Sequence, residues 1–145
     1  MELDFDDALM RGLRGYVRRV TEELGLSGEC SYVQAERPAV AYLALDGRLP
    51  GFPDRDVALL WEEDGGWSAA VETHSGEDVI VQAHFGPDVL PSPAAVARWA
   101  RGLFRGELGV PARARGPRHT ADDLVRRLAP YTATVHVPMP RAERV

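Results

Sequence analysis

The sequence predicts an α+β fold: an N-terminal helix, a four-stranded antiparallel meander sheet, then two C-terminal helices. Three observations carry this. Apolar residues recur at three- and four-residue spacings from Phe5 to Leu24. The run from Val40 to Phe85 divides into short apolar stretches separated by glycine-bearing breaks. After Pro91 the helical period returns. Period and break lengths together separate helix from strand.

In the first segment Phe5, Leu9, Leu13, Tyr16, Val17, Val20 and Leu24 form one stripe. Asp4, Asp6 and Asp7 lie at the positive end of the helix dipole, and Gly25 supplies a stop. Gly12 and Gly15 are internal, each costing about 1 kcal/mol relative to Ala. Close packing against a neighbour is the expected compensation.

The stretch Ser27 to Pro38 is polar and reads as a connection. Val40 to Leu45 reads as the first strand and ends at Asp46-Gly47. A proline-bearing loop from Arg48 to Asp54 follows, which excludes helix and holds Phe52 stiffly. Val57 to Glu62, Trp67 to Thr73 and Val79 to Phe85 are the next three strands. Their breaks, Asp64-Gly65-Gly66 and Ser75-Gly76-Glu77, suit three-residue hairpins.

With loops of that length Trp61 falls opposite Ala69 and Leu59 opposite Val71, while Val71 faces Val81 and Ala69 faces Ala83. One face then collects Val57, Leu59, Trp61, Trp67, Ala69, Val71, Val79, Val81 and Phe85, and the first helix is its natural cover. The other face is mixed: Tyr42, Leu60 and Ile80 stand among Glu62, Glu72, Gln82 and His84. A face open to water alternates more cleanly, so the C-terminal helices, a second copy of the chain or another protein is expected to cover these residues in part.

Ser92-Pro93 caps and opens a second helix with the stripe Val96, Trp99, Ala100 and Leu103, ending near Gly106. Thr120 and Asp123 form a variant capping box for a third helix through Leu124, Val125 and Leu128, stopped at Pro130. Thr132 to Val137 alternates and is expected to be a short edge strand. The domain is expected to span residues 1–130, with 131–145 a C-terminal extension that frays at its end.

A chain of 145 residues with 45% hydrophobic and 27% charged residues is long and apolar enough for one folded core. Cys30 is the sole cysteine, so neither an internal disulfide nor a thiolate zinc site is implied. An acidic N-terminus and the lack of any 18-residue apolar run give a cytoplasmic expectation with no membrane partner. All 17 basic residues are arginine and Ile80 is the only isoleucine, a bias that fits a G+C-rich genome. Charge is unevenly placed: Met1 to Ser92 carries 18 acidic and 7 basic residues, a net of −11, and the remainder a net of +6. The basic part either offsets the acidic part or meets an acidic partner.

No catalytic, metal or cofactor motif stands out. His74 and His84 share a face but lie at opposite ends of a hairpin, and zinc needs three or four converging donors. Ser75-Gly76-Glu77-Asp78 and Glu62-Glu63-Asp64 carry the residues that hairpin tips use, and read as solvated turns. Neither a dinucleotide fingerprint nor a P-loop is present. Arg98, Arg101 and Arg105 share one helix face beside Arg113, Arg115 and Arg118, the best candidates for contacts to phosphate or an acidic partner. The three tryptophans read as core. Phe52 either plugs the end of the sheet or projects toward a partner.

The stretches Pro38 to Asp46 (PAVAYLALD), Arg48-Leu49-Pro50, Arg55 to Trp61 (RDVALLW), Gly66-Trp67, Ser75 to Asp78 (SGED) and Asp88 to Pro91 (DVLP) resemble a family of short actinobacterial proteins of unknown function. The resemblance spans about residues 10–105 and implies no substrate, cofactor or catalytic residue.

The leading functional expectation is a non-catalytic interaction or regulatory module. Its partner would be another protein or a second copy of the chain, bound through Tyr42, Phe52, Leu60, Ile80 and His84. The alternatives are an accessory protein that binds nucleic acid through the arginines, and a small hydrolase or ligand-binding protein.

Overall fold

The computed structural model describes residues 2–26, 31–34, 38–73, 78–86, 88–107 and 121–136. The first helical stripe becomes α1, Glu2–Leu24, with Leu9, Leu13, Tyr16, Val17 and Val20 buried along one side. Its end is closed by Gly25 at φ 76°. The Leu26 amide donates to Thr21 O at 2.9 Å and the Gly25 amide to Glu22 O at 3.1 Å, which satisfies two terminal carbonyls.

Five strands, not the expected four, form one antiparallel sheet in the order β1-β2-β3-β4-β5. They are β1 (Ser31–Gln34), β2 (Val40–Leu45), β3 (Val57–Glu62), β4 (Gly66–Glu72) and β5 (Val79–His84). The added strand, β1, lies inside the stretch read as a polar connection. Only Val33 of its four residues packs against the core, so the hydrophobic signal is faint and backbone pairing to β2 defines the strand.

Both hairpin registers differ from expectation. Trp61 pairs with Trp67 and Leu59 with Ala69, because the tip is Glu63-Asp64-Gly65 and Gly66 already belongs to β4. Gly66 sits at φ 77°, and a Cβ there would lie 3.2 Å from Asp88 O, so a glycine is needed on both counts. A slip of two residues leaves every side chain on its expected face. In the second hairpin Ala69 does face Ala83, but a bulge follows, and Ala70 pairs with Val81 and Val71 with Ile80. That one-residue shift turns Val79 and Val81 away from the core and brings Ile80 onto the core side, reversing the expected placement of all three.

Ser92 caps α2 (Pro93–Phe104) by accepting from the Ala95 amide at 3.2 Å. Gly106, at φ 92°, closes the helix where a stop was expected. The third helix, α3, runs Ala121–His136 and does not stop at Pro130; the segment from Thr132 to His136 is helical, not an edge strand. The loss of one backbone bond at Pro130 is outweighed by packing on both sides of it. Leu128 is buried against α1, and beyond the proline Tyr131 meets Tyr16 edge-on at 5.1 Å. The capping residue Thr120 and Val137 lie outside the described residues.

α1 crosses α3 at Gly12, where an added Cβ would stand 2.7 Å from Leu128 Cβ. Close packing is thus the role of that glycine. The helices back one side of the sheet. Trp61 Nε1 donates to Val89 O at 2.7 Å, Trp67 Nε1 donates to the Tyr16 hydroxyl at 3.0 Å, and that hydroxyl donates to Pro91 O at 2.5 Å. Burial raises the Tyr16 pKa, and the hydrogen bond from Trp67 opposes the rise.

Candidate interaction face

The other side of the sheet is built from alternate strand residues. One cross-strand row runs Tyr32, Tyr42, Leu60, Ser68, His84, and the next runs Ala44, Ala58, Ala70, Val81. Among the described residues the helices make their core contacts with the opposite side of these strands. Tyr32 is 60% exposed and Val81 42%, on a face where Leu60 and Tyr42 are partly buried.

The centre of the face is occupied by one side chain lying across the strands. The Tyr42 hydroxyl on β2 donates to Glu72 Oε2 on β4, with β3 between them. By register the midpoint of that span is Ala58. Ala58 and Ala70 are fully buried yet stand outside the main core cluster, so their cover comes from this side. The Tyr42 pKa is pushed up to about 12, first by burial and then by the bond to Glu72, with the carboxylate of Asp56 acting in the same direction. Arg48 pairs with Asp56 at 2.9 Å, and Arg55 donates to the Glu72 carbonyl at 3.1 Å.

The expected partner-binding residues separate into two groups. Tyr42, Leu60 and His84 share the bare face, whereas Ile80, though 47% exposed, is turned to the core side by the bulge. Phe52 packs partly buried against the core, and its amide donates to Leu49 O at 2.9 Å. Val81, Val79 and Tyr32 complete the face and were missed. The bulge has no marker in the sequence, and β1 offers only two apolar residues, Tyr32 and Val33.

The arginine cluster is partly committed elsewhere. Arg101 donates to Glu23 O at 2.5 Å, tying α2 to the end of α1, and Arg105 pairs with Glu107 at 3.2 Å. Arg98 is exposed, and Arg113, Arg115 and Arg118 lie outside the described residues. At the β3–β4 tip Glu62 and Asp64 are exposed as expected, but Glu63 is only 8% exposed. Its Oε1 accepts from the Ala39 amide at 2.8 Å, while its own amide donates to Ala39 O at 3.0 Å. Glu63 therefore anchors the entry to β2 and is not a solvated turn residue.

No group of three or more metal-ligating side chains occurs among the described residues. His74 and Ser75 to Glu77 fall outside them. A groove of about 270 Å³ between α1 and α3 is lined by Ala8, Arg11, Val125, Ala129 and Thr132. Arg11 there is already paired with Asp7 at 2.7 Å. No helix among the described residues is long and apolar enough to cross a membrane.

Fold and face together define an α+β domain whose five-stranded antiparallel sheet has one helix-backed side and one side that no helix among the described residues backs. The chain belongs to a family of unknown function (DUF6292), whose model matches residues 16–102. The match takes in the whole sheet and most of α2, and leaves α3 outside. No curated protein and no solved structure matches the chain.

Proposed function

We propose that this protein is a non-catalytic binding module that holds a protein partner on its bare sheet face. One observation carries the reading: apolar side chains of Tyr32, Leu60 and Val81 line the side of the sheet away from the helices. Exposed apolar side chains gathered on one sheet face are a feature of interaction sites. On the same face the Tyr42 hydroxyl donates to the Glu72 carboxylate.

Photocrosslinking in the producing cell tests this. A benzophenone amino acid replaces Leu60 or Val81, with exposed Arg14 on α1 as the control position. The expected result is a discrete protein adduct from the two face positions that is absent from the Arg14 position. Adducts that are equal at all three positions, or absent from the face, overturn the proposal.

A further inference from the structure

We infer that the occupant of this face is an extended polypeptide segment of another protein, carrying basic side chains interleaved with apolar ones. This rests on the reading of the bare face as a docking site and adds the chemistry of what docks there.

Charge decides between occupants. From Ser31 to His84, the stretch that makes the whole sheet, the sequence holds ten acidic and three basic residues. On the bare face the charged strand residues are Glu62 and Glu72, both acidic. Arg48 and Asp56 pair and cancel each other, and Arg55, which donates to the Glu72 carbonyl, keeps its charge; the acids remain in excess. A second copy docking face to face would bring this acidic surface against itself, and like charges opposed across an interface are penalised. A basic segment meets the same field with the favourable sign.

Size points the same way. Five strands about 4.8 Å apart, with about six residues each at roughly 3.3 Å, give a face of roughly 500 Å² in plan. An extended segment of about six residues, roughly 20 Å long, fits within that outline. Such a segment would set its apolar side chains on Leu60 and Val81, and a basic one toward Glu72.

The test uses the full chain, labelled with 15N, and two synthetic ten-residue peptides: alternating Val and Lys, and alternating Val and Glu. The expected outcome is that the Lys peptide moves the amide signals of Tyr42, Leu60, Glu72 and Val81, with affinity falling at least several-fold when salt is raised from about 0.05 M to about 0.5 M. Glu72→Gln, which keeps an acceptor for Tyr42 while removing the charge, is expected to weaken that binding several-fold while the protein stays folded, its melting temperature falling only slightly as the bond to Tyr42 loses its charge. The inference is overturned if the Glu peptide binds as well as the Lys peptide. It is equally overturned if the shifts lie elsewhere, if neither peptide binds, or if light scattering shows the protein pairing with itself through this face. In any of these cases a face-specific crosslink to another protein would leave the binding-module reading standing, so the two failures are separable.

Discussion

Tyr42 reaches across β3 to donate its hydroxyl proton to Glu72, and by register Ala58 lies midway along that span. The bond holds only while the hydroxyl keeps its proton. The folded pKa is raised to about 12 from the ordinary 10, so protonation is favoured by folding. The corresponding stability is fully present below pH 10 and is lost as pH rises through 12. Tyr42→Phe should remove this component together with about 1 kcal/mol from the bond itself. Urea unfolding at pH 8 and pH 11 checks both statements: wild type should lose more stability between the two pH values than Tyr42→Phe does. Equal losses would refute the assignment to Tyr42.

Gly12 sets the distance between α1 and α3. In an isolated helix Gly12→Ala would gain about 1 kcal/mol of helix propensity. Here the new Cβ would lie 2.7 Å from Leu128 Cβ and 3.2 Å from Leu128 O, and the backbone contact cannot rotate away. Forced repacking of that kind costs about 1–3 kcal/mol, so the net expectation is destabilisation. A thermal melt of Gly12→Ala should show a lower midpoint than wild type; a rise would mean the helices separate freely.

The sheet and the two flanking helices α1 and α2 were legible because periodicity, caps and glycine stops all act locally. Ser92-Pro93, Gly25 and Gly106 each mark a boundary that the structure keeps. Three features were illegible, for physical reasons specific to each. β1 depends on hydrogen bonds to β2 and needs little hydrophobicity of its own. The bulge beside Ala70 lies between Ala and Val pairs that would tolerate either register, so nothing in the side chains announces it. The helix beyond Pro130 exists through contacts to α1, which local propensity does not contain. The bare face was half legible: Tyr42 and Leu60 were placed correctly, whereas Ile80 stood in for Val81 because an unseen shift of one residue exchanges the two faces.

Glu63 and Asp64 are adjacent acids at one hairpin tip with opposite expected behaviour. Glu63 is buried and holds the Ala39 amide, so Glu63→Ala leaves a buried donor without its acceptor. A loss of about 1–3 kcal/mol is expected. Asp64 is exposed, and Asp64→Ala should stay within about 0.5 kcal/mol of wild type. Parallel denaturant titrations compare them; similar effects from both would show that the Glu63 contact contributes nothing.

Pro130 lies inside α3 on its exposed side, four residues after Arg126, whose carbonyl would accept the helical bond that proline cannot make. Two effects oppose each other on replacing it with Ala. Proline stiffens the unfolded chain, and losing that stiffness costs about 0.4–1 kcal/mol. Against this, an interior proline is about 3 kcal/mol worse than Ala in a helix, from the missing amide and the clash of its ring with the preceding turn. The second effect is larger, and because the ring is exposed little packing is lost with it. Pro130→Ala is therefore expected to stabilise the protein by about 2–2.6 kcal/mol. It should also slow amide exchange from Tyr131 onward, since the turn around residue 130 gains its missing bond. Unchanged exchange, or a lower melting midpoint, would show that α3 is already relaxed around the proline and that its last turns are held by Tyr131 and Thr132 alone.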